Sequence, residues 1–179
     1  MTKSGNKVLS IDTLPDDARL WIYACDRELN ELEELRVKEI LTEFCAEWTS
    51  HGRSVESAAD VIEGKFALIG GHIVDGDVSG CGIDKSTRAL NAAASELGFE
   101  WLPGLTIHYR DDRGVPRSVS RPEFRRLVNE GVVTGDTLVF DLSIDTVGRF
   151  RRGEFERRAS STWHARVYGI PQTEQPLHS

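Results

Sequence analysis

Val37, Ile40, Leu41, Phe44, Cys45 and Trp48 recur at helical spacing along one face, while Glu31, Glu33, Glu34, Lys38, Glu39, Glu43 and Glu47 fall mostly elsewhere. An apolar stripe of that width must be covered, so the chain needs a partner layer for this helix, read over about Leu29 to Ser50. The neighbouring segments supply a sheet. Arg19 to Cys25 is a short apolar and aromatic run preceded by the turn residues Leu14-Pro15-Asp16-Asp17. Ser54 to Ile62 and Lys65 to Val74 read as two strands joined near Glu63-Gly64-Lys65. A second helix is expected from about Asp84 to Leu97, with Leu90, Ala93, Ala94 and Leu97 inward and Gly98 just past its end. Leu105 to Tyr109 supplies another strand.

The order β-α-β-β-α-β is the split βαβ, ferredoxin-like arrangement, so the expected class is α+β: a ferredoxin-like first part over residues 1–104 and a smaller β-rich part over 105–169, with 170–179 a loose tail. In the second part, Val115 to Ser120 is expected as a strand, Ser120-Arg121-Pro122-Glu123 as a helix start, and Thr137 to Phe140 as a strand. Ser161 to Arg166 is expected as a final strand docked by Trp163.

The formal charge of −7 is unevenly spread. Residues 1–100 carry 10 Lys and Arg against 19 Asp and Glu, whereas residues 101–179 carry 12 arginines against 10 acids. An acidic first half argues against general nucleic-acid binding, which draws its affinity from phosphate neutralisation. Arg149, Arg151, Arg152, Arg157 and Arg158 leave a polyanion contact open, against the plainer reading of a solvated, charged strand or loop. No apolar run approaches the ~20 residues that span a bilayer, and no apolar leader follows Met1, so the expected setting is the cytoplasm, away from membranes. Cys25, Cys45 and Cys81 form no C-x-x-C pair and no disulfide framework.

The chemistry concentrates in Ser79-Gly80-Cys81-Gly82-Ile83-Asp84-Lys85-Ser86, a glycine-rich turn before a helix. Helix starts carry unpaired N–H groups and partial positive charge, which depress a thiol pKa and attract anions. The expected topology brings His51, His72 and Cys81 to one rim, with His51 continuing the buried stripe of its helix. Three chemistries are open there. His51 or another histidine activates Cys81, with Asp84 orienting the base; Cys81 and histidines ligate zinc, though the chain lacks the usual paired short motif; or the turn holds a small anionic or acyl ligand through Ser79, Gly80, Gly82, Lys85 and Ser86. A structural reading of the same residues makes Cys81 an apolar filler and Asp84 a helix cap. Near the other end, Trp163-His164-Ala165-Arg166 groups an imidazole and a guanidinium able to act as base and anion contact, so His164 and Arg166 join the candidate set. No cofactor or metal is called for. A P-loop is excluded, since the two glycines of G-x-x-x-x-G-K-[ST] are replaced by Ser79 and Asp84.

Two resemblances add to this. His108-Tyr109, Glu123-Phe124, Gly131-Val132-Val133 and Asp136-Thr137-Leu138-Val139-Phe140 resemble the small GYF-type modules, which implies an adaptor that binds a protein partner on an aromatic surface. The GYF triplet itself is absent. Arg19-Leu20-Trp21-Ile22-Tyr23, Trp48-Thr49-Ser50-His51-Gly52, the Ser79 to Asp84 turn and Trp163 to Arg166 together resemble an uncharacterised bacterial family labelled "ABC transporter ATPase" in Bacteroidetes-type genomes. That resemblance implies that His51, Cys81, Asp84 and His164 sit in shared motifs, and it names no activity.

Overall fold

The computed structural model describes residues 8–74, 76, 78 and 84–172. Among these the chain is α+β with antiparallel sheets, and it divides into two compact units. The first comprises the described residues up to Leu102 together with Leu142–Arg152; the second comprises Pro103–Asp141 and the described residues from Gly153.

In the first unit the elements are β1 (Arg19–Ala24), α1 (Glu31–Glu47), β2 (Thr49–Ser50), β3 (Arg53–Ser54), β4 (Glu56–Ile62), β5 (Phe66–His72) and α2 (Ser86–Leu97). Asn30 and Glu33 form a reciprocal capping box that starts α1, each side chain accepting from the other's backbone N–H. Strands β1, β5 and β4 make a three-stranded sheet in that order, both pairs antiparallel. Glu63 and Gly64 turn the β4–β5 hairpin with φ of 57° and 59°, the left-handed pair that matches strand twist. Val37, Leu41, Cys45 and Trp48 from α1 and Leu90 and Ala93 from α2 share one core with Ala59, Ala67 and Ile69 of the sheet. The opposite face of β5 is also covered: at Gly70 the side chains of Leu14 and Ile11 close in, from the 3₁₀ turn Ile11–Thr13 and the residue after it.

Leu105 to Tyr109, expected as the fourth strand of this sheet, lies in the other sheet. On the side of β1 away from β5, the described residues form isolated bridges, Cys25 with Trp101 at one end and Arg19 with Thr146 at the other. The second bridge explains why residues 142–152 belong to the first unit. Within them the short helix α4 (Val147–Arg151) carries Arg151, whose guanidinium pairs with Asp16 and donates to the carbonyls of Asp12 and Leu14 at 3.0 and 2.8 Å.

The second unit contains β6 (Ile107–Arg110), β7 (Pro116–Val119), α3 (Arg121–Asn129), β8 (Leu138–Phe140), β9 (Glu156–Arg158) and α5 (Trp163–Tyr168). Its sheet runs β7-β6-β8-β9, antiparallel throughout. Ser120 caps α3 by accepting from the Glu123 N–H at 3.3 Å, and Gly131 follows its end with a φ of 74°. Phe124, Val139, Tyr109, Ala165 and Tyr168 form the core. Ser161 to Arg166 is helical over most of its length, not a strand, because a left-handed Gly169 closes a single amphipathic turn there. Ile170 is buried in this core, so the segment read as a tail is anchored at its first residue.

Candidate functional site

The helix stripe that should have turned His51 inward stops early. Trp48 leaves α1 with φ −71° and ψ 123°, and the chain reverses through His51 and Gly52, with φ of 50° and 76°, between β2 and β3. A two-residue turn of this hand puts both residues at a hairpin tip. His51 is therefore exposed.

This hairpin nevertheless meets the start of α2. The Lys85 ammonium donates to the Thr49 carbonyl at 3.3 Å, and the Arg53 guanidinium donates to the Val74 carbonyl at 2.6 Å. Val78 is buried in the core and Ser86 is 1% exposed. Ser86 holds a side-chain hydrogen bond to the Tyr23 phenol, whose pKa burial raises, with the Ser86 bond opposing and the Asp84 charge adding. Thus His51, Asp84, Lys85 and Ser86 gather at one edge of the first unit. Ser79, Gly80, Cys81 and Gly82 lie outside the described residues. His72, at the end of β5, stands 3.6 Å from Asp17 and 3.8 Å from Glu56.

His164 and Arg166 belong to the second unit. Arg166 is exposed on α5. His164 is 1% exposed, stacked on Trp163 at 3.8 Å between ring centroids and edged by Phe124. The Thr162 hydroxyl donates to the Ala159 carbonyl, so towards His164 Nδ1, 2.8 Å away, it accepts, and the proton sits on Nδ1. Burial depresses the His164 pKa to about 4 against the smaller opposing pull of Asp141, leaving the ring neutral. His164 is thus enclosed by Trp163 and Phe124.

The other two thiols are inert by burial. Cys25 is pushed up to about 12 and Cys45 to about 11, in both cases chiefly by desolvation. Titration of native protein with a thiol reagent is expected to leave Cys25 and Cys45 unmodified until unfolding; rapid labelling of either would contradict their placement. Among the described residues no group of three or more His, Cys, Asp or Glu is arranged to hold a metal ion. No helix among them is long and apolar enough to cross a membrane.

The second unit contains a feature that sequence reasoning missed, a cleft of about 590 Å³ lined by Tyr109, Arg110, Asp111, Asp112, Val132, Thr134, Asp136, Thr137 and Leu138. Its origin is a mismatch of ladders. β6 pairs with β8 through only His108↔Phe140 and Tyr109↔Val139, yet each strand continues along its outer neighbour, to Arg110↔Pro116 and Leu138↔Arg158. The β6–β8 ladder ends at Tyr109, and the residues that follow on β6 and precede on β8, Arg110 and Leu138 among them, line the cleft. Asp111-Asp112-Arg113-Gly114 reads in sequence only as a turn; the signal missed was that this turn faces the Thr134 to Leu138 segment.

The aromatic surface implied by the GYF resemblance is absent among the described residues. Tyr109, Phe124, Phe140, Phe155 and Tyr168 are buried and Trp163 is half-buried. Several of the arginines of this half are matched to carboxylates: Arg110 to Glu156, Arg117 to Asp111, and Arg126 to Glu123 and Glu130. Comparison of the sequence with protein-family models and with curated proteins, and of the structure with solved structures, finds no match.

Proposed function

We propose that this protein is a non-catalytic interaction module whose second unit docks an extended polypeptide segment. The observation carrying this reading is the cleft at the end of the β6–β8 ladder, of ligand-binding size and lined in part by the exposed Val132 and half-buried Leu138. Extended segments suit a gap between strands, since strand geometry presents alternate side chains to the two walls. Selection of displayed random peptides on the immobilised protein is the test. Enriched sequences are expected to compete with one another and to lose binding on Val132→Asn, which removes apolar surface without adding charge; failure to enrich, or indifference to that substitution, would count against the module.

A second reading has its own support: the helix-start turn from Ser79 to Ser86 binds a small anion or acyl group, with Cys81, His51 and Asp84 as its reactive residues. Lys85 on the Thr49 carbonyl ties the α2 start to the His51 hairpin, and Ser86 on Tyr23 ties it to β1. Because Cys25 and Cys45 are buried, alkylation kinetics of the native protein read Cys81 alone. A thiol pKa well below ~8.5, lost in His51→Ala, is the result this reading requires. Unperturbed kinetics would end it.

We also propose a ferredoxin-like ancestry for the first unit. The β1-β5-β4 order supports it, with the place of a fourth strand reduced to the Trp101 bridge.

A further inference from the structure

We infer that the segment docking in the cleft of the second unit is basic, held by a Lys or Arg side chain between Asp112 and Asp136, an inference that rests on the interaction-module reading above. The charges lining the cleft are Arg110, Asp111, Asp112 and Asp136, and two of them are already committed. Arg110 donates to Glu156 at 2.6 Å and to the Gly114 carbonyl at 2.8 Å, and lies over the Phe140 ring at 5.0 Å. Asp111 accepts from the backbone N–H groups of Arg113 and Val115, both at 2.9 Å, and from Arg117 at 2.7 Å. These bonds hold its carboxyl below the usual carboxylate range.

The remaining charge is negative. Asp112 is exposed and makes no ion pair among the described residues, with Arg117, already bonded to Asp111, the cation that acts on it. Asp136 faces Arg158 at 3.7 Å, but the two side chains are 90% and 68% exposed, so solvent screens the pair. Asp112 lies on the Asp111–Gly114 turn after β6, and Asp136 on the Thr134–Thr137 turn before β8, where its backbone N–H donates to the Thr134 hydroxyl at 3.3 Å. One exposed carboxylate thus stands on each wall. Between them Val132 and Leu138 offer apolar surface for an aliphatic neighbour or for the methylene stem of the cation. An acidic segment would be repelled by Asp112 and by Asp136, whose pair with Arg158 is screened by solvent, whereas a basic one is attracted by both. Charge complementarity of this kind selects partners and sets on-rates.

The test uses full-length protein and a short labelled peptide alternating arginine and leucine, with a citrulline-for-arginine isostere, read by fluorescence anisotropy. Arginine peptide binding is expected to exceed that of the isostere about 10-fold or more, and Asp112→Asn with Asp136→Asn is expected to cost a similar factor. Glu31→Gln with Glu43→Gln, the same charge change on the exposed face of α1, should leave affinity within about 2-fold, because screening confines the effect to nearby charge. Equal losses in both double variants would reduce the binding to general attraction by an acidic protein and overturn the inference. Equal binding of the isostere, still abolished by Val132→Asn, would overturn the basic partner while the docking reading stood. Saturable binding by neither peptide, with no enrichment in peptide selection, would remove both.

Discussion

Gly71→Ala is expected to cost the first unit about 3 kcal/mol, whereas Gly70→Ala, its immediate neighbour, should cost about 1 kcal/mol. A Cβ on Gly71 would lie 2.7 Å from two ring carbons of Trp48 and 3.1 Å from Val55. Trp48 is 1% exposed, wedged between the end of α1 and the sheet, and edged by Trp21 and Phe44 at centroid distances of 5.8 and 5.1 Å. A ring held on several sides does not yield as a free methyl does, and overpacking of a dense core is relieved only by backbone shifts. At Gly70 the nearest atom, 2.6 Å away, is the terminal methyl of Leu14. Leu14 is itself buried, yet shifting the end of an aliphatic side chain displaces less than moving an indole ring. Urea denaturation followed by tryptophan fluorescence measures the difference, since Trp21, Trp48 and Trp101 all lie in the first unit. Trp48→Leu combined with Gly71→Ala should recover part of the loss, the non-additivity expected of residues in contact. Equal and small costs at the two glycines would mean that Trp48 does not seat on β5.

Acid should destabilise the second unit through His164 by about 3 kcal/mol, most of it before pH 4.5. The folded ring has a pKa of about 4 against 6.5 for the model imidazole. Well above pH 6.5 both states are neutral and the group contributes nothing to the pH dependence; as pH falls through 6.5 towards 4 the unfolded chain gains a proton that the folded one refuses. Stability therefore rises with pH across that window. His164→Gln should flatten the profile there, while retaining a donor for Thr162. Glu33 works in a different range: Arg27 beside it holds its carboxyl down to about 2, so its favourable pairing is present above the usual glutamate value of 4.5 and fades only below it. Urea midpoints of the second unit's transition, measured from pH 7 to pH 4, separate the two. An unchanged acid limb in His164→Gln would contradict the buried neutral imidazole.

What the sequence disclosed was local. The α1 stripe, the Glu63-Gly64 reversal, the Ser120 cap and the left-handed Gly98 each announce themselves within a few residues, because caps and turns are satisfied by near neighbours. What stayed hidden depended on distant partners. Leu105 to Tyr109 is an apolar run that fits either sheet, and only its pairing with Val119 and Phe140 decides which. Trp163 to Tyr168 is too short for periodicity to tell helix from strand. His51 was misdirected by extending a helical phase past Trp48, where the backbone had already turned. The cleft was invisible for the same reason: it arises from unequal ladder lengths, not from any motif.

Whether the second unit recognises a basic extended segment is most directly tested by titrating isotope-labelled protein with the arginine and leucine peptide and following backbone amide shifts. Perturbations are expected to concentrate at residues 109–112 and 132–138, the walls and floor of the cleft. Shifts spread along the acidic surface of α1, with residues 109–112 and 132–138 silent, would contradict the account.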